Sequence, residues 1–241
     1  KLFARVSALH AKRDQLGLDA QQLRLLDRYM LDFVRAGAKL DEKQKTRLRE
    51  INSELASLQT TFNQNLLKEN NASAVVVETR AELAGLSDGA IAAAAEAAKS
   101  RELKGKYVLA LQNTSGQPAL VALRDRALRE RLQKASVNRA SRGGEFDNRA
   151  TLARVVKLRA ERAALLGYAN YATYVLEDQT AGTPAAVNKM MSDMAPAAVA
   201  NAKAEAAAMQ AIVDAGGGGF QIAAWDWAHY ADKVRKAKYA Y

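Results

Sequence analysis

Residues 41–71 read DEKQKTRLREINSELASLQTTFNQNLLKENN, and within them Leu48, Ile51, Leu55, Leu58, Phe62 and Leu66 recur at steps of three and four. That spacing puts six apolar side chains on one stripe of a helix, because a helical residue returns to the same face every 3.6 positions. Asp41 and Gln44 stand at the spacing of a capping box, and the pattern holds as far as Asn70 and Asn71. A seam this long needs a partner helix. Just upstream, Asp19 is placed to cap a helix carrying Leu23, Leu26, Met30 and Phe33, which Gly37 can end in a left-handed cap. The short connection from Ala38 to Leu40 predicts an antiparallel helical hairpin over residues 1–72.

Beyond Asn71 the helical period breaks. Ala74-Val75-Val76-Val77-Glu78 and Tyr107-Val108-Leu109-Ala110-Leu111 are β-branched or apolar runs, the second following the Lys104-Gly105-Lys106 turn, and they predict two short paired strands. Between them Leu86-Ser87-Asp88 opens an alanine-rich helix ending near Ser100, so residues 73–117 read as a helix with short strands and a closing loop from Asn113 to Gln117. Residues 118–215 read as a helical bundle. Pro118 suits the first turn of a helix carrying Leu120, Leu123, Ala127 and Leu132, which Arg142-Gly143-Gly144 ends or interrupts. The next carries Leu152, Val155, Val156, Leu158, Ala163 and Leu166 and stops at Gly167. Tyr168, Tyr171 and Tyr174 then fall on one helical face. Thr183-Pro184 starts a long helix to Ala215, which Pro196 should bend or divide. Residues 216–241 form a glycine linker and a helix from Trp225 to Tyr241 with no stop signal, read as the end of a piece of a longer protein.

Composition agrees with an all-α fold carrying at most a short two-stranded β element. Of 241 residues 49% are hydrophobic and three are proline, with Ala, Leu, Lys, Arg, Glu and Gln abundant; these side chains lose little rotamer freedom in a helix. Lys and Arg total 36 against 26 acids, a formal charge of +10. The basic residues at Lys43 to Arg49, Arg124 to Arg126 and Arg154 to Arg162 recur beside acids, as on solvated helix faces. No nucleic-acid motif accompanies them, so nucleic acid is not an expected partner. Nor is a membrane, because no apolar run reaches the length of a span. The expectation is a soluble protein, cytoplasmic or periplasmic.

The residues needed for chemistry are sparse. Cysteine is absent, which removes disulfides, thiolate nucleophiles and sulfur-ligated zinc. The two histidines, His10 and His229, have no second histidine at i+4, whereas a helical zinc peptidase would carry His-Glu-x-x-His. Gly216 to Gly219 lacks the preceding strand and following Lys-Ser or Lys-Thr of a phosphate loop, and no Gly-x-Ser-x-Gly turn occurs. Asn71-Ala72-Ser73 and Asn113-Thr114-Ser115 match a glycosylation pattern but read as turns. The three tyrosines read as a packing stripe. Trp225 and Trp227 flanking Asp226 read as a structural knot whose carboxylate caps the following helix.

Several of these segments, in order, resemble a known family. Asp32-Phe33-Val34-Arg35-Ala36-Gly37-Ala38, Leu48-Arg49-Glu50-Ile51-Asn52 and Phe62-Asn63-Gln64-Asn65-Leu66-Leu67 are similar to the long helical hairpin of the thimet oligopeptidase and dipeptidyl carboxypeptidase family of zinc peptidases. Leu111 to Leu120, Leu165-Leu166-Gly167-Tyr168, Tyr171-Ala172 and Thr183-Pro184 continue the likeness. The run Trp225-Asp226-Trp227-Ala228-His229-Tyr230-Ala231 through Val234-Arg235 to Lys238-Tyr239 resembles the entry to the catalytic half. The resemblance implies the amino-terminal helical part of a zincin-type oligopeptidase, one wall of a channel that admits short unstructured peptides and releases C-terminal dipeptides. It implies a zinc ion held by two histidines of His-Glu-x-x-His and a later glutamate, all outside residues 1–241. No catalytic or metal residue is therefore assigned here, substrate-contacting residues stay unknown, no zinc is expected on this chain, and the chain alone is expected to be inactive. The competing reading is a non-enzymatic basic helical module that binds a protein or nucleic acid.

Overall fold

Asp19 and Asp41 begin the first two long helices in the same way. Each carboxylate accepts the amide three residues on, and the glutamine at that position returns its side-chain oxygen to the aspartate amide, at 2.8 and 3.1 Å for Asp19–Gln22 and 2.8 and 3.0 Å for Asp41–Gln44. Each box satisfies amides that a bare helix start would leave unpaired. The computed structural model describes residues 1–112, 114 and 116–239. In chain order it contains α1 (Leu2–His10), α2 (Ala20–Arg35), α3 (Glu42–Ala72), β1 (Val75–Val77), α4 (Asp88–Lys99), β2 (Tyr107–Leu109), α5 (Ala119–Ala122), α6 (Arg126–Val137), α7 (Arg149–Leu165), α8 (Tyr171–Leu176), α9 (Pro184–Ala215) and α10 (Trp227–Tyr239). The fold is mainly helical, with one two-stranded antiparallel sheet among the described residues. Asn113 and Ser115 of the expected loop, and positions 240 and 241 of the expected last helix, lie outside the described residues. Asn71, expected in a turn, belongs to the last turn of α3, with Ser73 just beyond it.

The described residues form two compact units, Lys1–Thr60 with Thr151–Asn188 and Thr61–Ala150 with Lys189–Tyr241. In the first, Phe3 of α1 meets Phe33 of α2 at 5.8 Å between ring centroids. Gly37 closes α2 at φ +87°, and the Ala38 and Gly37 amides bond the Phe33 and Val34 carbonyls, both at 2.9 Å, a Schellman ending. Leu48 and Ile51 on α3 and Val155, Leu158 and Ala163 on α7 are buried. Beside them Arg47 grips Glu161 through two bonds of 2.6 and 2.9 Å, and Arg154 grips Glu54 at 2.6 and 2.7 Å. The pairs 47–161 and 54–154 run in opposite chain directions, so α3 and α7 lie antiparallel. The reading of Arg154 to Arg162 as a merely solvated face needs correction: paired forks from both helices fix their register.

The tyrosines are also rearranged. Asn170 caps α8 by accepting the Thr173 amide at 2.9 Å, so Tyr168 precedes the helix that bears Tyr171 and Tyr174. All three rings still gather. Tyr174 stands 5.2 Å from Tyr168 and 5.9 Å from Tyr171, with Arg35 4.1 Å over its ring. Burial, then the hydrogen bond its hydroxyl gives Glu177, pushes the Tyr168 phenol up to about 12. This is packing chemistry, as the spacing implied.

In the second unit β1 and β2 pair with Val75 opposite Leu109, Val76 opposite Val108 and Val77 opposite Tyr107. Their buried residues join Leu83, Ile91, Ala94, Leu111, Leu120, Leu123, Leu128 and Leu132 in one apolar core. The single helix expected after Pro118 is broken in two. Leu123 turns extended at ψ 126°, and the Asp125 carboxylate starts α6 afresh by accepting the Leu128 amide at 2.9 Å. The break rotates the buried face, so Leu128 is covered and Ala127 is exposed. Pro196, by contrast, does not divide α9; the bond it forfeits frees the Ser192 carbonyl on an exposed stretch where water can serve. From Lys189 to Glu205 that helix is exposed throughout, including Met190, Met191, Met194 and Val199.

Gly85 joins α4 to the rest of this core at a point where no side chain fits. Its φ is +101°, and a Cβ there would stand 2.0 Å from the Ala122 carbonyl oxygen. Gly85→Ala should therefore lower stability by about 2–4 kcal/mol in urea unfolding. Gly105→Ala, also at positive φ (+75°) but facing open space, should lose only about 1–2 kcal/mol.

Candidate functional site

The break between α5 and α6 creates the most chemically distinctive place in the second unit. Because Asp125 restarts the helix, Arg126 and Arg129 fall three residues apart in its first turns and share a face. Between them they hold one carboxylate. Arg126 binds Asp226 through Nε at 3.1 and 3.2 Å and through a terminal nitrogen at 2.8 Å, while Arg129 reaches the other oxygen at 2.8 Å. The Ala223 amide adds a bond of 3.1 Å. Asp226 is wholly buried and Arg129 is 2% exposed. Arg129 also donates to the Leu123 and Arg124 carbonyls at 2.9 and 3.1 Å, the backbone left open where α5 stops. Burial alone would raise the Asp226 pKa; the bonds from Arg126, Arg129 and Ala223 override it and hold the carboxyl below its ordinary value.

Aromatic groups and a histidine surround this triad. The Arg126 guanidinium lies 4.1 Å from the centroid of Phe220 and 5.5 Å from that of Trp225. His229, nearly buried on α10, bonds the Val121 carbonyl through Nδ1 at 2.9 Å, so Nδ1 carries a proton and the neutral ring keeps Nε2 as an acceptor. Burial lowers its pKa, and the charges of Arg129 and Lys233 push the same way. Beside these residues lies a cleft of about 570 Å³ whose walls include Gly85, Val121, Arg124, Phe220, Tyr230 and Lys233.

Measured against expectation, Asp226 is indeed knotted between the tryptophans, but its carboxylate does not cap α10. It turns to the two arginines. Arg126, read as solvated, is engaged, and Arg129 was missed altogether. Trp225 packs under Arg126 and Lys134, and Trp227 is partly exposed. Gly216 to Gly219 forms the loop after α9, with the Gly218 amide closing on the Val213 carbonyl at 2.9 Å. In the first unit, His10 meets Asp27 at 2.9 Å. Among the described residues no group of three or more histidines and acids is placed to hold a metal ion. The described residues therefore offer no side-chain set that fits zinc. No helix is long and apolar enough to cross a membrane among the described residues.

The sequence model of peptidase family M3 matches residues 119–241, the span that supplies Arg126, Arg129, Asp226 and His229. The chain belongs to peptidase family M3. This M3 chain is 44% identical over 239 residues to the dipeptidyl carboxypeptidase of Escherichia coli strain K12, covering 99% of itself and 35% of that relative. The dipeptidyl carboxypeptidase of Salmonella typhimurium gives the same identity and coverage. Oligopeptidase A of E. coli is 32% identical over 227 residues, 92% of this chain and 33% of the relative. The M3 chain thus spans about a third of the length of these relatives.

Two outcomes follow from the buried triad. Asp226→Ala would leave two guanidiniums without their shared partner, one of them sealed from solvent, and should cost about 3–5 kcal/mol in denaturant unfolding. Acid should also weaken the fold in two steps. His229 has a folded pKa below its ordinary 6.5, so the unfolded chain takes the proton first and stability falls as pH drops below about 6.5. Asp226 has a folded pKa below 3.8, so its contribution is present above that value and lost on further acidification. Melting curves between pH 8 and 3 check both, and His229→Gln should flatten the first step only.

Proposed function

We propose that this chain is the amino-terminal, channel-wall region of a zinc peptidyl-dipeptidase that cleaves short unstructured peptides and releases C-terminal dipeptides. The observation that carries this reading is the 44% identity to dipeptidyl carboxypeptidase across 239 residues, against 32% to oligopeptidase A. The higher identity favours the dipeptidyl carboxypeptidase branch over the oligopeptidase A branch. In this proposal the zinc ligands belong to a part of the protein outside these 241 residues. When bound there, zinc would supply an acidified water as nucleophile. The helical wall contributes exclusion: it narrows access to extended peptides and rejects folded proteins, whose unfolding costs about 5–15 kcal/mol.

A further part of the proposal is that these residues hydrolyse nothing alone. The purified 241-residue chain, incubated with zinc and an unblocked oligopeptide, should release no dipeptide by mass spectrometry. A longer protein that contains this chain and spans the relatives' length should release C-terminal dipeptides and lose that activity to a chelator. Zinc-dependent release by the short chain would refute the placement of the site, and release of fragments other than dipeptides by the long protein would refute the branch.

A further inference from the structure

The cleft beside the Asp226 triad holds more positive charge than its neighbours use. Arg124 and Lys233 line it, and among the described residues neither side chain has an acid within ion-pair distance. The Lys233 ammonium rests 4.7 Å over the Tyr230 ring. Asp232, the one acid in the cleft wall, already serves Arg235 at 2.5 Å and Lys236 at 2.8 Å. Arg126 and Arg129 add two further guanidiniums, and the Nε–H of Arg129, a residue 2% exposed, is buried with no partner. Two cations without an acid partner, Arg124 and Lys233, therefore line one concavity with Val121, Phe220 and Tyr230.

Cations with an adjoining aromatic wall suit a ligand that carries an anionic group on an apolar body. A carboxylate accepts from a guanidinium and an ammonium at once, while a neighbouring hydrocarbon or aromatic side chain covers the walls. Bare inorganic anions would meet the charge but leave those walls wet. We propose that this cleft binds the carboxylate of a short peptide, with Arg124 and Lys233 holding its oxygens and Phe220 and Tyr230 flanking its apolar side chain. The assignment deepens the peptidase reading and rests on it for the peptide character of the ligand.

Calorimetry on the purified chain tests it with three probes: Ala-Ala-Ala-Phe as free acid, the same peptide as its C-terminal amide, and inorganic phosphate. The free acid should bind about tenfold more tightly than the amide, and its affinity should fall as salt rises. Arg124→Gln and Lys233→Gln should each weaken the free acid about five- to tenfold and leave amide binding unchanged, with circular dichroism showing each variant folded. Equal binding of acid and amide, unchanged acid binding in both variants, or phosphate binding as tight as the acid peptide would each overturn the site. The peptidase reading stands or falls separately, on dipeptide release by the longer protein.

Discussion

One carboxylate organises the second unit. Asp226 arrives from the loop after α9, and it is met by two arginines from the start of α6, which lie 100 and 97 residues earlier in the chain. In a medium that excludes water, an unpaired charge is far more costly than an unmade hydrogen bond. The arrangement is consequently tightly coupled: the buried Arg129 guanidinium needs the carboxylate, and the buried carboxylate needs the guanidiniums and the Ala223 amide. Because Arg129 also bonds the Leu123 and Arg124 carbonyls, the same charge network closes the backbone gap between α5 and α6. The position of α10, with His229 against Val121, is thereby set by residues that lie far from it in sequence.

The helices themselves were readable because their determinants are local. Asp19 with Gln22, Asp41 with Gln44 and Gly37 each act within one turn, and the strands declared themselves through runs of valine, tyrosine and leucine at 75–77 and 107–109. Family membership was legible as well, through motifs spread along the chain. What could not be read was partnership across distance. Arg126 beside Asp125 looks in sequence like any solvated ion pair, and nothing in its neighbours points to Asp226. Arg129 sits in a stretch of alternating charge where only burial separates it from Glu130 or Arg131. The split after Ala122 was closer to legible, since Asp125 with Leu128 has the form of a helix start, but the apolar spacing of Leu120, Leu123 and Leu132 spoke for continuity.

The surplus of basic residues takes on a more specific meaning in three dimensions. Many of the basic residues are engaged in forks between helices, as with Arg47 and Arg154 in the first unit, or on single carboxylates, as with Arg142 on Glu69 in the second at 2.9 Å. Such pairs specify which helix lies beside which, and at what register, more than they add stability. Other basic residues carry no such pair, and two of these, Arg124 and Lys233, line one concavity.

The division of the chain has a consequence for how it is made. Residues 61–150 and 189–241 belong to one unit, yet residues 151–188 between them belong to the other. As the polypeptide leaves the ribosome, α6 emerges with Arg126 and Arg129 while Asp226 has yet to be synthesised. At roughly 5–20 residues per second, those arginines spend several seconds on a nascent chain without their counter-ion. The first unit can assemble in that interval, and the second closes only when the late-arriving aspartate reaches them.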